Sequence, residues 1–337
     1  MKKYISIIMV AVMTAVLLCA CGNKSTAPSE NTVSAAGTDK LQIVTTIFPE
    51  YDWVMNVLGD KASDAEVTML LDNGVDLHSY QPTADDILKV ATCDLFIYVG
   101  GESDEWVEDA LKEATNKDMV VIDLLDVLGD SVKEEEVVEG MEAEEEEEEE
   151  AEEGEEEEVE YDEHVWLSLK NAQVLVQNIS DSLQKIDPDN ASSYADNTAA
   201  YIEELKTLDE KYQSAVESAT YNTLLFGDRF PFRYLVDDYN LDYYAAFVGC
   251  SAETEASFET IKFLSEKVDE LSLPAVMTIE GAEHKIAETI VSNTKDGNKQ
   301  ILTMDSMQST TSKDVTAGAS YLSIMEKNLE VLTQALN

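Results

Sequence analysis

From Leu41 onward, short apolar runs rich in β-branched residues alternate with stretches whose apolar positions recur every three or four residues. This alternation predicts parallel strands covered by helices: a strand buried on both faces reads as a continuous apolar run, and its crossover helix carries one apolar stripe. Strands are predicted at Leu41 to Thr46, Glu66 to Leu71, Leu95 to Val99 and Met119 to Asp123. Helices are predicted over Tyr51 to Leu58, Thr83 to Val90 and Glu105 to Ala114, and Thr83 followed by Asp86 resembles an N-terminal capping box. The pattern recurs after residue 220, with strands at Thr223 to Gly227, Tyr243 to Phe247, Ala275 to Glu280 and Gln300 to Met304. Its helices are Phe232 to Tyr239, Ser257 to Leu271, His284 to Thr294 and Tyr321 to Leu336.

Between the two halves, Tyr194, Ala200, Tyr201, Leu205, Leu208 and Tyr212 recur at helical spacing in a stretch, 189–219, without Gly or Pro. One amphipathic helix of about 28 residues, roughly 42 Å long, is predicted there. The expected fold class is therefore α/β, with an N-terminal lobe over 41–188, a C-terminal lobe over 220–337, and one long rigid helix joining them. Each lobe is a parallel-rich sheet flanked by helices.

Upstream of the first strand the pattern changes. Lys2 and Lys3 precede an apolar run from Ile5 to Leu18, the length of a signal-peptide core and short of the roughly 20 residues that span a bilayer. It ends in Leu18-Cys19-Ala20-Cys21-Gly22, which looks like a bacterial lipobox; a plain secretory signal with chance cysteines is the alternative. The lipobox reading makes 1–20 a signal peptide, Cys21 the acylated mature N-terminus, and the polar stretch 21–40 a flexible tether. It expects the folded part on the extracytoplasmic face of the cell membrane.

Charge excludes one class of partner. With 70 acidic against 22 basic residues, a net charge of −48 and a pI near 4.1, the chain has no surface for neutralising nucleic-acid phosphates. The charge is also uneven, since Glu134 to Glu163 holds 21 acidic residues and no Lys or Arg. A near-continuous glutamate run repels itself and has no apolar face to bury, so 134–160 is expected to be a disordered loop. Beyond the signal, Cys93 and Cys250 are expected to be buried free thiols, because 157 residues of separation give no sign of pairing.

The chain has three histidines: His78, His164 and His284. His78 lies in Asp76-Leu77-His78-Ser79-Tyr80-Gln81-Pro82, past the second predicted strand, and His284 follows the strand ending at Glu280. Asp228, in Phe226-Gly227-Asp228-Arg229-Phe230, closes another. Ligands of parallel α/β sheets gather beyond the carboxyl ends of strands, which points these three toward one crevice. His164 opens a helix beginning near Val165, directly after the acidic run.

These motifs resemble the zinc- and manganese-binding lipoproteins of bacterial ABC transporters. Asp76 to Pro82 is similar to that family's Asp-Pro-His-x-Tyr-x-Pro element, Asp162-Glu163-His164-Val165-Trp166-Leu167 to its Asp-Pro-His-x-Trp-Leu element, and Asn190 to Asp209 to its connecting helix. The resemblance runs from about Leu41 to the end. It implies an extracytoplasmic receptor, not an enzyme, that hands a divalent ion to an ABC permease. The expected partners are that permease and, through the lipid, the membrane, with the receptor a monomer. Carried over residue by residue, it implies the metal ligands His78, His164, His284 and Asp228. The last two depart from the family's usual types as though Asp and His had changed places, and Glu253 and Glu255 stand as alternatives to Asp228.

Three imidazoles and one carboxylate close a tetrahedral site, which suits transport and favours Zn²⁺ over Mn²⁺. Asp76, Asp162 and Glu280 are candidate orienting partners for the imidazoles. The rivals are an exported zinc-dependent hydrolase and a receptor for manganese or a ferric chelate. Gly100-Gly101 reads as a tight turn, since no phosphate-loop fingerprint follows it. Ser251 has neither a local histidine nor a nucleophile-elbow motif. The aromatic residues Phe230, Phe232, Tyr234, Tyr239, Tyr243 and Tyr244 are expected in the core.

Overall fold

In the computed structural model, which describes residues 40–142, 160–251, 255–281 and 284–337, the predicted strands pair into two four-stranded parallel sheets. The first is built from β1 (Leu41–Thr45), β2 (Ala65–Met69), β3 (Leu95–Tyr98) and β4 (Val120–Asp123), in the order β2-β1-β3-β4. The second repeats that order as β6-β5-β7-β8, with β5 (Thr223–Phe230), β6 (Asp242–Val248), β7 (Ala275–Ile279) and β8 (Gln300–Met304). In both sheets the chain leaves the first strand toward one edge and returns on its other side, so a crevice opens at the carboxyl ends where the direction reverses.

The crossovers in the first lobe are α1 (Phe48–Leu58), α2 (Ala84–Thr92) and α3 (Trp106–Lys112), followed by α4 (Leu124–Leu128) and α5 (Leu169–Ile186). Thr83 and Asp86 form the expected capping box on α2. The joining helix α6 covers Ala191–Glu217, 27 residues. It buries Tyr194, Thr198, Tyr201, Leu205, Leu208 and Tyr212, whereas Ala200 faces outward. The second lobe adds α7 (Arg233–Tyr239), α8 (Phe258–Leu271), α9 (Lys285–Asn293), α10 (Ser312–Thr316) and α11 (Tyr321–Ala335).

Helices α1, α5, α6 and α11 form a packed spine. Asp52 of α1 ties it together, accepting hydrogen bonds from Tyr201 Oη of α6 at 3.3 Å and from the Tyr321 amide of α11 at 3.2 Å. Tyr212 Oη donates to the Met325 carbonyl at 2.6 Å, and the Trp53 and Tyr321 rings meet edge to face at 5.2 Å. One apolar cluster runs from Ile43 and Phe96 of the first sheet through this spine to Phe226 and Met277 of the second. The other face of the second sheet, with Leu225, Phe247 and Val276, packs separately under α8 and α9. Adjacent residues such as Leu225 and Phe226 thus enter different clusters, as the two-residue period of a strand requires. The expected aromatic core is present, with Phe230 stacked on Tyr243 at 3.9 Å and Tyr244 only half-buried.

Three local expectations differ from the structure. β5 does not stop at Gly227 but continues to Phe230 through an irregularity between Phe226 and Arg229, so Asp228 lies within the strand. A Cβ on Gly227 would lie 2.6 Å from Ala287 Cα, so glycine is what lets α9 rest on the strand at that point. The helix expected from Val165 begins instead with a 3-10 turn over Val165–Leu167; Ser168 then caps α5, accepting from the Asn171 amide at 3.0 Å. Finally, the first nine residues of the acidic run, 134–142, are held in place. The Glu135 amide donates to Glu160 O at 3.0 Å, the Glu142 amide donates to Ala246 O at 2.9 Å, and Met141 is buried. The apolar residues Val138 and Met141 interrupt the glutamates here and supply something to bury. Residues 143–159 lie outside the described residues.

Candidate metal centre

Two histidines from opposite ends of the first lobe meet beyond the carboxyl ends of its sheet. His78 sits in a 3-10 turn, Leu77–Ser79, entered through Asp76, whose carboxylate accepts from the His78 amide at 3.1 Å. The His78 ring is held from its Nδ1 side by Ser103 Oγ at 2.8 Å, with Glu163 Oε2 3.4 Å away on the same side. Glu163 reaches that place because the turn before Ser103 carries Gly101 at φ +78°, where a Cβ would lie 2.4 Å from Glu163 Oε1. The Gly100-Gly101 turn therefore has a packing role. His164 is fully buried, and Asp162 Oδ1 accepts from its amide at 2.9 Å and lies 3.1 Å from its Nδ1. With their Nδ1 atoms so engaged, the two Nε2 atoms face each other at 3.2 Å.

Electrostatics keep the His78 ring neutral. Burial, reinforced by the neighbouring His164, pushes its pKa down to about 3, so its lone pair remains available to a metal at neutral pH. Burial also raises Glu163 above the usual carboxylate range. Asp76 goes the other way: burial opposes ionisation, but the Arg229 guanidinium and the hydrogen bond from the His78 amide outweigh it and hold the carboxyl below its ordinary value.

The second lobe supplies the rest of the surroundings. Arg229 of β5 is ion-paired with Asp76 across the crevice. Gln308, just past β8, places its carboxamide 3.1 Å from His164 Nε2; with the amide nitrogen turned toward Asp76 it donates there at 2.8 and 3.0 Å. After β6 the chain turns at Gly249, against the edge of the His164 ring, and brings Cys250 to the pair. One ring nitrogen from each imidazole and Cys250 Sγ lie within 4.8 Å of one another; among the described residues this is the group of His, Cys, Asp and Glu donors so gathered. Cys93 and Cys250 are both free thiols, the first buried and the second half-buried.

Of the residues the sequence nominated, His78 and His164 are thus brought together. Asp228 and His284 do not join that group. Asp228 accepts from the Ile279 amide at 3.3 Å and from the Arg229 amide at 3.0 Å; burial raises its pKa, against the opposing charges of Arg229 and His284. His284 precedes α9 and its Nδ1 is buried without a hydrogen-bond partner among the described residues. Glu255 is exposed and Glu253 lies outside the described residues. Of the three expected orienting acids, Asp162 contacts a histidine ring nitrogen closely, Asp76 bonds the His78 backbone, and Glu280 is taken by Ser306, whose amide and hydroxyl donate at 2.6 and 2.7 Å. Sequence reasoning missed Arg229, Ser103, Gln308 and the placement of Cys250. The signal that found His284, a position just past a strand end, applies equally to Cys250 after β6.

A profile of the family described as "Zinc-uptake complex component A periplasmic" matches residues 43–335. This chain belongs to that zinc-uptake family. The "Zinc-binding lipoprotein AdcA" of Streptococcus pneumoniae strain R6 is 33% identical over 338 residues, covering 99% of this chain and 61% of that protein. The "High-affinity zinc uptake system protein ZnuA" of Bacillus subtilis is 30% identical over 335 residues, covering 99% of this chain and 98% of that one. Against the streptococcal relatives the chain spans little more than half their length, 55% to 61%. The crystal structure of the Zn(II)-bound ZnuA-like domain of Streptococcus pneumoniae AdcA superposes with a TM-score of 0.67 at 30% identity, covering 88% of this chain and 99% of that domain. The zinc-uptake family's two-lobe α/β architecture is therefore the one described above.

Proposed function

We infer that this chain is an extracytoplasmic receptor that captures a divalent ion, zinc in preference to manganese, and delivers it to the permease of an ABC importer. The observation that carries the reading is the pair of imidazoles whose Nε2 atoms stand 3.2 Å apart. A tetrahedral zinc with nitrogens at about 2.0–2.1 Å separates two of them by roughly 3.3 Å, so the pair is spaced for one shared ion. The names of the relatives, zinc-binding and zinc-uptake proteins, support the choice of ion. A manganese site would draw more on carboxylates. An exported hydrolase would need an open coordination position with a general base beside it, and the family's description as an uptake component weighs against that rival.

Of the four ligands the motif resemblance implies, this reading keeps His78 and His164 on the ion. It leaves Asp228 and His284, which interact electrostatically on the second lobe, off the ion. The lipid anchor at Cys21 belongs to the same proposal; that residue lies outside the described ones, and the lipoprotein name of the pneumococcal relative supports it. Zinc titration against a competing chelator tests the reading. His78→Ala and His164→Ala should each weaken zinc binding by at least about a hundredfold, in line with the several kcal/mol a metal–ligand bond supplies, whereas His284→Ala and Asp228→Ala should have smaller effects. Parent-like zinc binding by both of the first two variants would refute it.

A further inference from the structure

We propose that Cys250 is a zinc ligand, so that the ion is held by the His78 and His164 imidazoles together with one thiolate. The proposal rests on the reading of this crevice as the ion site and names a donor that the motif resemblance does not supply. Two imidazoles do not complete a zinc site, which takes three or four protein ligands. The neighbouring carboxylates have other contacts: Asp162 lies on the Nδ1 side of His164, Glu163 accepts from the Ser103 amide and lies on the Nδ1 side of His78, and Asp76, 4.0 Å from His78 Nε2, is ion-paired with Arg229. Among the described residues, Cys250 Sγ is the donor that shares the 4.8 Å group with both imidazoles.

Its placement follows from the backbone. β6 pairs with β5 up to Phe230 opposite Val248, and the next residue is Gly249. A Cβ there would lie 2.9 Å from His164 Cε1 and from the Phe230 carbonyl. Only a residue without a side chain lets the turn run this close to the imidazole, and the turn then sets Cys250 beside the pair. Access is provided as well. A cavity of about 450 Å³ is lined by His78 and Cys250 together with Ser103, Glu135, Glu160 and Glu163, so an incoming hydrated cation passes carboxylates and meets both ligand types. Cys93 has no such setting; its thiol is buried against the Val90 carbonyl at 3.2 Å.

The chemistry is a simple exchange. The thiol S–H bond breaks, the proton leaves to solvent, and the sulfur lone pair forms the bond to Zn²⁺. A thiolate is a soft donor, so its presence in place of a carboxylate tilts the site further from manganese.

The experiment loads the full chain with Co²⁺ as a spectroscopic stand-in for zinc and titrates zinc against a chelator in parallel. The parent and Cys93→Ser should show a near-ultraviolet thiolate-to-cobalt charge-transfer band that Cys250→Ser and Cys250→Ala lack, and both Cys250 variants should bind zinc at least about tenfold more weakly. In the parent, zinc should slow alkylation of Cys250, a readout that requires no variant to fold. Absence of the band from the parent, or parent-like zinc affinity in Cys250→Ser while His164→Ala has lost binding, overturns the thiolate and leaves the crevice as the site. Parent-like binding by His164→Ala as well would overturn both readings.

Discussion

Gly249→Ala adds one methyl group at the place where the β6 turn touches the metal centre. Gly249 does not have a positive φ, so alanine meets no backbone penalty there and the whole effect comes from contact. The added Cβ would stand 2.9 Å from His164 Cε1, 2.9 Å from Phe230 O and 3.0 Å from His164 Nδ1, where ordinary contact begins at 3.4 Å. About half an ångström must therefore be found. Phe230 O belongs to the β5 backbone, and the imidazole is fully buried between Asp162 and Gln308. If the ring and the turn share the shift, Cys250 moves by roughly a quarter of an ångström relative to the imidazoles, as large as the ~0.2 Å tolerance of a metal–ligand bond. Overpacking of this kind costs about 1–3 kcal/mol. About half of the upper figure expressed in binding is a tenfold loss of zinc affinity; the remainder lowers the melting temperature by a few degrees, at about 2–4 °C per kcal/mol for domains of this size. A chelator-competed zinc titration and thermal scans with and without zinc read the two parts separately. A variant with parent affinity and parent melting temperature would show that the turn has slack and refute the packing argument.

Two further outcomes follow from the same packing. Asp162→Asn keeps an acceptor beside His164 but removes the carboxylate that orients the ring through its Nδ1, so zinc affinity measured by competition should fall about 10- to 100-fold with little change in fold; an unchanged affinity would mean that Asp162 serves only the backbone. Asp52, raised by burial from its ordinary 3.8 to about 6, binds its proton more tightly in the folded chain than in the unfolded one. Its contribution is thus most favourable below about pH 4 and is lost as pH rises through about 6, a difference of about 3 kcal/mol. Asp52→Asn retains an oxygen for Tyr201 and Tyr321, so thermal melts from pH 4 to pH 7 should show the variant gaining on the parent as pH rises; parallel curves would contradict this.

The sequence by itself determined the two sheets, the spine helix and the imidazoles of the first lobe. Apolar runs such as Leu95 to Val99 and the stripe from Tyr194 to Tyr212 are local patterns, set by the periods of strand and helix, and they are readable without a partner. His78 and His164 were legible because each sits in a short motif whose neighbours, Asp76 and Asp162, bond its own backbone two residues away. The second lobe's share of the site was not legible. The pairing of Arg229 with Asp76, the approach of Gln308 to His164 and the arrival of Cys250 all join residues between 86 and 172 positions apart in the chain, closed only when the two sheets dock on the spine. Which strand-end residue reaches the crevice depends on half-ångström matters: the irregularity that keeps Asp228 within β5, and a turn without a side chain at Gly249. Chain periodicity carries no information about either, because close packing between distant segments, and not local propensity, decides them.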